Sequence, residues 1–186
     1  MRRRRGGHAM SHHARSRTRL PVFTAHSGHD LLGIYLNDHL TGATVGAERS
    51  RHLAETCRGS EVGDAIAPLA TEIAEDRRTL VGIMRRLGIP VRRYKVYAGL
   101  LAERLGRLKS NGALVRRSPL SSLLELELLQ IGVEGKVCLW ETLRGLADRD
   151  TRLDPRQLDG LLERARRQLG TVEDLRGLQA GQVFAH

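Results

Sequence analysis

Apolar side chains recur at intervals of three and four residues through most of this 186-residue chain, and the alternation typical of β-strands is missing from the sequence. One pair of such stretches covers residues 30–58 and 61–87, and a second pair covers residues 119–147 and 155–180, all bounds being approximate. Only a short loop separates the two stretches of each pair, which is typical of antiparallel neighbours in a helical bundle. The sequence therefore predicts an all-α protein made of four long helices in two hairpins.

Residues with helix-capping chemistry stand at the start of each predicted helix. Side chains of serine and aspartate accept hydrogen bonds from the free backbone N–H groups of a first turn, and proline suits the first helical position. The predicted N-caps are Asp30, Ser60, Ser118 and Asp154, the last two being followed by proline. These signals set the boundaries of the four helices.

A longer connection, residues 88–118, joins the two hairpins. It contains a shorter amphipathic stretch whose apolar positions are Val96, Leu100, Leu101, Leu105 and Leu108. One long crossover between two hairpins is the topology of ferritin-like bundles. We therefore predict a ferritin-like up-down four-helix bundle over residues 30–181, with a long crossover that contains a short helix. A basic disordered tail (1–29) and a short C-terminal tail (182–186) flank it.

Several short motifs add a more specific resemblance. They are GRLKSNG at 106–112, SPLS at 118–121, ELE at 125–127, GVEGK at 132–136 and LW at 139–140. In these motifs and in helix order over residues 30–180, the chain resembles the ferritin-like superfamily, most closely a group of uncharacterised proteins from high-GC bacteria. The narrow resemblance implies a fold and no particular activity.

The broader resemblance implies a site for two iron ions. Such a site takes a Glu from each of two helices and a Glu-x-x-His motif from each of the other two. Only His39 and His52 lie in predicted bundle helices, both on the first, and Glu163 of the fourth helix is followed three residues later by Arg166. Because a guanidinium offers no lone pair to a metal, we predict no complete di-iron site, no catalytic residues and no bound cofactor.

Polar side chains nevertheless interrupt the apolar stripes of the first hairpin. His39 lies centrally in the stripe of the first helix, and Glu72 and Asp76 share nearly one face of the second. Because a buried carboxylate is costly unless it is paired, we expect a hydrogen bond between His39 and Asp76 that fixes the register of the hairpin. The alternative is a single-metal site of His39, Glu72, Asp76 and Glu134, which would accept iron, manganese or zinc.

The helix surfaces predict further packing. Small residues, Ala43 and Gly46 among them, form the middle of the first stripe and favour the close approach of a neighbouring helix. The third helix is apolar on nearly every side except for a stripe of glutamates that includes Glu134. A helix of that kind is usually covered on more than one face. We expect the crossover to cover one side and a second subunit to cover another, which makes the protein a homo-oligomer.

Charge is distributed unevenly. The formal net charge of +10 comprises +7 in residues 1–20, +9 in residues 85–117, and −6 in the rest of the chain. A solvated arginine-rich connection explains this pattern, but so does binding to nucleic acid, where phosphate contacts and tyrosine stacking combine. The candidate contacts for nucleic acid are Arg85, Arg86, Arg92, Arg93 and Lys95.

Other classes of protein are excluded by composition. Two cysteines far apart in sequence, Cys57 and Cys138, form neither a disulfide framework nor a zinc knuckle, and we place both at core positions. No apolar run approaches the ~20 residues of a membrane span, and the first residues lack the apolar region of a secretory signal. We predict a cytoplasmic protein without membrane contact, for which Met10 is a second candidate start.

The function predicted from the sequence is a non-catalytic binding or structural module. The first alternative is a divergent metal-binding protein or metal-dependent oxidoreductase that uses iron or manganese. The second is a nucleic-acid-associated protein that uses the arginine-rich tail and crossover.

Overall fold

The computed structural model describes residues 27–92 and 119–185. They form four α-helices: α1 Gly28–Thr56, α2 Glu61–Arg86, α3 Pro119–Ala147 and α4 Pro155–Phe184. The described residues contain no β-strand. This confirms the all-α class and the four long helices. The predicted N-terminal tail up to residue 26, the short crossover helix and the Ser118 cap lie outside the described residues.

The helix starts confirm two predicted caps and correct one. Ser60 Oγ accepts from the backbone N–H of Gly63 at 3.3 Å, and Asp154 Oδ1 accepts from that of Arg156 at 2.9 Å. The cap of α1, however, is Ser27 rather than Asp30. Asp30 is the third residue of the helix, and its Oδ2 accepts a hydrogen bond from the backbone N–H of Ser27 at 3.1 Å, which completes a capping box.

The far end of α4 also differs from the prediction. The helix continues through Gly181 to Phe184, beyond the expected end near residue 180. Glycine lowers helix stability by only about 1 kcal/mol relative to alanine. A glycine in the last turn therefore does not by itself end a helix.

The two hairpins pack through α1 against α3 and through α2 against α4. Near the start of α1, Tyr35 Oη donates to Thr142 Oγ1, late in α3, at 3.1 Å. Just beyond the other end of α1, Cys57 Sγ lies 3.9 Å from Ser122 Oγ, early in α3. α1 and α3 are therefore antiparallel.

Helices α2 and α4 are antiparallel as well. Arg86 at the end of α2 donates to Gln157 Oε1 in the first turn of α4 at 2.6 Å, whereas Glu72 meets Gln168 further along. Since each hairpin is antiparallel as well, α2 and α3 run in the same direction. The end of α2 and the start of α3 therefore lie at opposite ends of the bundle.

Two apolar clusters fill the interior, one toward each end. The first surrounds Trp140 and includes Leu36 and Met84. The second includes Leu53, Ile66 and Leu126. Trp140 is only 1% exposed and belongs to the core. No helix in the two described ranges has the length and hydropathy needed to span a membrane.

Candidate functional site: a buried charge network

A layer of polar side chains separates the two apolar clusters. On α2, Asp76 lies between Ile73 of one cluster and Leu80 of the other. Lys136 lies between Val133 and Val137 of α3 in the same way. Three of the four helices contribute charged or amide side chains to this layer, which we call the charge network: Glu72, Asp76, Lys136, Arg164 and Gln168.

Asp76 is the centre of the charge network. Its side chain is only 2% exposed. Lys136 Nζ donates to Asp76 Oδ2 at 2.7 Å, and Arg164 Nη2 donates to Asp76 Oδ1. Each carboxylate oxygen therefore accepts a charge-assisted hydrogen bond, from α3 on one side and from α4 on the other.

Gln168 joins the second carboxylate to the network. Its Oε1 accepts a hydrogen bond from Lys136 Nζ. Its Nε2 donates to Glu72 Oε2 at 2.8 Å and to Asp76 Oδ2 at 3.3 Å. Both ends of this buried amide are satisfied, as burial of a polar group requires.

Burial and neighbouring charges shift the pKa of Lys136 in opposite directions. Burial lowers the pKa of Lys136 below its usual value, because the charged form loses its hydration. The hydrogen bond and charge of Asp76 act in the opposite direction, as does the charge of Glu72, while Arg164 lowers the pKa further. Asp76 is therefore the main neighbour that favours the charged form of Lys136 against the effect of burial.

His39 is not the partner of Asp76, which corrects the expected hydrogen bond. Its ring packs edge-on against Tyr35, with ring centroids 4.4 Å apart. Burial lowers the pKa of His39, and the charge of Asp38 partly opposes that shift. Lys136 and Arg164 reach Asp76 instead, because α3 and α4 supply formal charges from the opposite side of the bundle.

The four candidate metal ligands do not converge. Glu134 is exposed and lines a surface depression with Arg176, away from the charge network. Glu72 and Asp76 are bound to Gln168, Lys136 and Arg164, as described above. No group of three or more His, Cys, Asp and Glu side chains within 27–92 and 119–185 is placed to hold a metal ion. The residues present therefore do not fit the single-metal site.

An apolar groove lies beside the charge network, between α1 and α3. Its volume is about 450 Å³, and its walls are mostly aliphatic and glycine residues, together with Asp76, Lys136 and Trp140. A methyl group added at Gly42, Gly46, Gly132 or Gly135 would meet no described atom within 4 Å. The small residues of α1 therefore line an open groove, whereas the sequence pattern predicted close helix contact.

The predicted nucleic-acid contacts are only partly described. Arg85, Arg86 and Arg92 are exposed near the end of α2. The neighbouring α3–α4 loop contributes aspartates as well as arginines, among them Asp150, which pairs with Arg152 at 2.6 Å. Acidic and basic groups therefore alternate at this end of the bundle. Arg93 and Lys95 lie outside the described residues.

Sequence reasoning missed the residues that neutralise Asp76, although a signal was present. Gln168 lies three residues after Ala165 and four before Val172, at an apolar position of the α4 pattern. Lys136 shares a face of α3 with Leu129, Leu139 and Leu143, which are buried. A polar residue on each apolar stripe indicated a shared buried layer, whereas the pairing between helices required the structure.

The thiols are also placed differently from the prediction. Cys57 follows the last residue of α1 and is half-buried, and Cys138 is exposed on α3. Neither belongs to the apolar clusters as a buried member.

Comparison of the chain with models of protein families, with curated proteins and with solved structures finds no match to any of them.

Proposed function

We propose that this chain is a ferritin-like helical bundle that acts as a non-catalytic binding or structural module of the cytoplasm. In it, a network of internal ion pairs takes the central position that metal ions occupy in the iron-binding members. The observation that carries the proposal is the neutralisation of Asp76 by Lys136 and Arg164.

The helix arrangement supports the ferritin-like part of the proposal. Two antiparallel hairpins are joined so that α2 and α3 run the same way, which demands a connection along the length of the bundle. A bundle with one long crossover has this organisation.

Electrostatics supports the non-metal part. A divalent cation at Asp76 would lie beside an ammonium and a guanidinium already bonded to the same carboxylate. Like charges at that distance repel strongly in a protein interior. Within residues 27–92 and 119–185 the charge network includes no imidazole, and the ring of His39 packs against Tyr35. A cluster of carboxylates saturated by internal cations has little affinity for a metal.

Metal content tests the proposal. The purified chain is dialysed against Mn²⁺ or, without oxygen, against Fe²⁺, and metal per chain is measured by elemental analysis after removal of free ion. We expect well below one ion per chain for the parent. We expect the same value for the double variant His39→Ala, Asp76→Ala, the matched control that removes the proposed ligands.

Stoichiometric metal in the parent that disappears in the double variant would contradict the proposal. That result would favour the metal-binding alternative. If both proteins retain the same amount of metal, below one ion per chain, the metal is bound at sites that do not include Asp76. That result would agree with the proposal.

A further inference from the structure

The groove between α1 and α3 carries opposite charges at its two ends. On α1 its outermost lining residues are Asp38 and Arg49, which lie about 16 Å apart along the helix at 1.5 Å per residue. Near the Asp38 end, Tyr35 contacts Thr142 across the two antiparallel helices. Trp140, which precedes Thr142 by two residues and lines the groove, therefore lies at the Asp38 end. The groove runs from an acidic end beside Trp140 to a basic end at Arg49.

Two arginines of the groove have no acidic partner in the part of the chain that the structure describes. Both are half-buried, and Arg77 of α2 reaches α1 through its Nε, which donates to Thr44 Oγ1 at 2.9 Å. No Asp or Glu stands three or four residues from Arg49 or Arg77, so neither forms the ion pair usual at that helical spacing. By contrast, Arg51 pairs with Glu55 at 3.0 Å. The groove therefore contains two guanidinium groups available to an anion.

The rest of the groove favours a hydrocarbon chain. Its volume of about 450 Å³ lies within the roughly 300–1,000 Å³ of small-molecule sites, and its walls are mostly aliphatic and glycine residues. Ile131, one of these residues, is 69% exposed. Covering such apolar surface is favourable because it removes the surface from water. Apolar walls with cations toward one end match a molecule that has a hydrocarbon chain and one anionic end.

We propose that the α1–α3 groove binds a fatty acid, with the carboxylate at Arg49 and Arg77 and the chain directed toward Trp140. Guanidinium groups form strong charge-assisted hydrogen bonds with carboxylates. The reverse orientation would bring the carboxylate next to Asp38, where like charges repel. Neither arginine belongs to the charge network, so a failure to bind fatty acid would leave the expected metal measurements unchanged.

Dodecanoate is the probe, because its extended chain has about the length of the groove. Trp140 is the single tryptophan of the sequence and lines the groove, so its fluorescence reports occupation. Dodecanoate is titrated into the full chain below its micelle concentration, and calorimetry measures the stoichiometry. We expect a saturable change at one molecule per chain. Dodecanol, which has the same chain without the charge, should bind more weakly by roughly fivefold or more.

The two arginines are tested separately. Arg49→Gln and Arg77→Gln should each raise the Kd for dodecanoate by roughly three- to tenfold and leave the Kd for dodecanol nearly unchanged. The matched control is Arg78→Gln, because Arg78 is exposed on α2 next to Arg77 and does not line the groove. The control should bind dodecanoate as the parent does.

A substitution that fills the groove tests the location of the site. A methyl group at Gly132 would meet no described atom within 4 Å, and phenylalanine is a better helix former than glycine, so Gly132→Phe can fill the groove within an intact α3. We expect it to abolish saturable binding of dodecanoate. Gly145→Phe is the matched control, since Gly145 is exposed on the same helix and does not line the groove. Circular dichroism verifies that each variant is folded.

The proposal is overturned if the parent shows no saturable change with dodecanoate, or if a folded Gly132→Phe chain binds it as tightly as the parent. Equal affinity of the parent for dodecanoate and dodecanol would also overturn it, because the arginines would then select nothing. A parent dimer on a sizing column that Gly132→Phe dissociates would place a second copy in the groove and contradict the proposal. If Gly132→Phe does not fold, Arg49→Gln and Arg77→Gln decide, and an unchanged Kd in both contradicts it.

Discussion

Asp76 shows how a single side chain determines what the interior of this bundle can bind. Its carboxylate lies between apolar neighbours on α2, where an unpaired charge would be strongly unfavourable. Two cations and one amide satisfy it instead. The same contacts that allow burial occupy both oxygens of the carboxylate and place two cations beside it, which disfavours a metal ion there.

Replacing Asp76 should therefore cost far more stability than replacing its neighbour. Asp76→Ala leaves Lys136 and Arg164 with no central counter-ion, and we expect a loss of about 3–5 kcal/mol in the free energy of unfolding. Glu75→Ala is the matched control, because Glu75 is exposed and pairs with Arg164 at 3.4 Å. It should cost less than about 1 kcal/mol. Urea unfolding followed by Trp140 fluorescence measures both, and equal losses would argue against a special role for Asp76.

His39 makes stability depend on pH on the acidic side. Because burial holds its pKa below 6.5, the unfolded chain takes up the proton first as pH falls. The uncharged ring of His39 therefore contributes its full share to the free energy of unfolding above pH 6.5. That contribution is lost as pH falls through the lowered pKa of His39 in the folded state. His39→Leu should flatten the fall in unfolding free energy below pH 6.5. An unchanged pH profile in this variant would show that His39 does not titrate differently on folding.

At the scale of elements, much of the fold was predictable because helix signals are local. Ser60 and Asp154 cap their helices as their sequence context predicts. The Ser27–Asp30 spacing is itself a capping-box signal, so the correct start of α1 was also within reach of the sequence. Boundaries of this kind depend on neighbours three or four residues away.

The partner of Asp76 was not predictable in the same way. Its burial followed from the apolar stripe of α2, but its contacts with Lys136 and Arg164 are 60 and 88 residues away in sequence. Considering only the α1–α2 hairpin led to His39. The rotation of α3 and α4 that brings the cations inward depends on packing of the whole bundle. The apolar stripes in the sequence show which face of each helix is buried, but they do not show how far each helix is shifted along its neighbour.

Two glycines of α2 should respond oppositely to the same substitution. A methyl group at Gly63 would overlap the backbone carbonyl of Cys57 in the α1–α2 turn, whereas one at Gly82 would meet no described atom within 4 Å. Gly63→Ala should cost about 1–3 kcal/mol, because the turn must move. Gly82→Ala should stabilise the chain by about 0.4–1 kcal/mol through the unfolded state and helix propensity. Thermal unfolding compares the two, and a stable Gly63→Ala chain would contradict the close contact.

At the scale of the molecule, the charge network separates two apolar clusters that each belong to all four helices. Its ion pairs join α2 to α3 and α4, so they link one hairpin to the other. We infer that these contacts of fixed geometry help to select one register of packing between the hairpins. The predicted homo-oligomer and the predicted contacts with nucleic acid stay predictions.

A double-mutant cycle between Asp76 and Lys136 tests the central claim most directly. The free energy of unfolding is measured for the parent, Asp76→Ala, Lys136→Ala and the chain with both changes. If Lys136 neutralises Asp76 inside the bundle, the two losses should be coupled by about 1.5 kcal/mol or more, with the double variant better than the sum of the single ones predicts. Losses that add to within about 0.5 kcal/mol would mean that the two side chains do not interact, and the account of an internally neutralised site would be wrong.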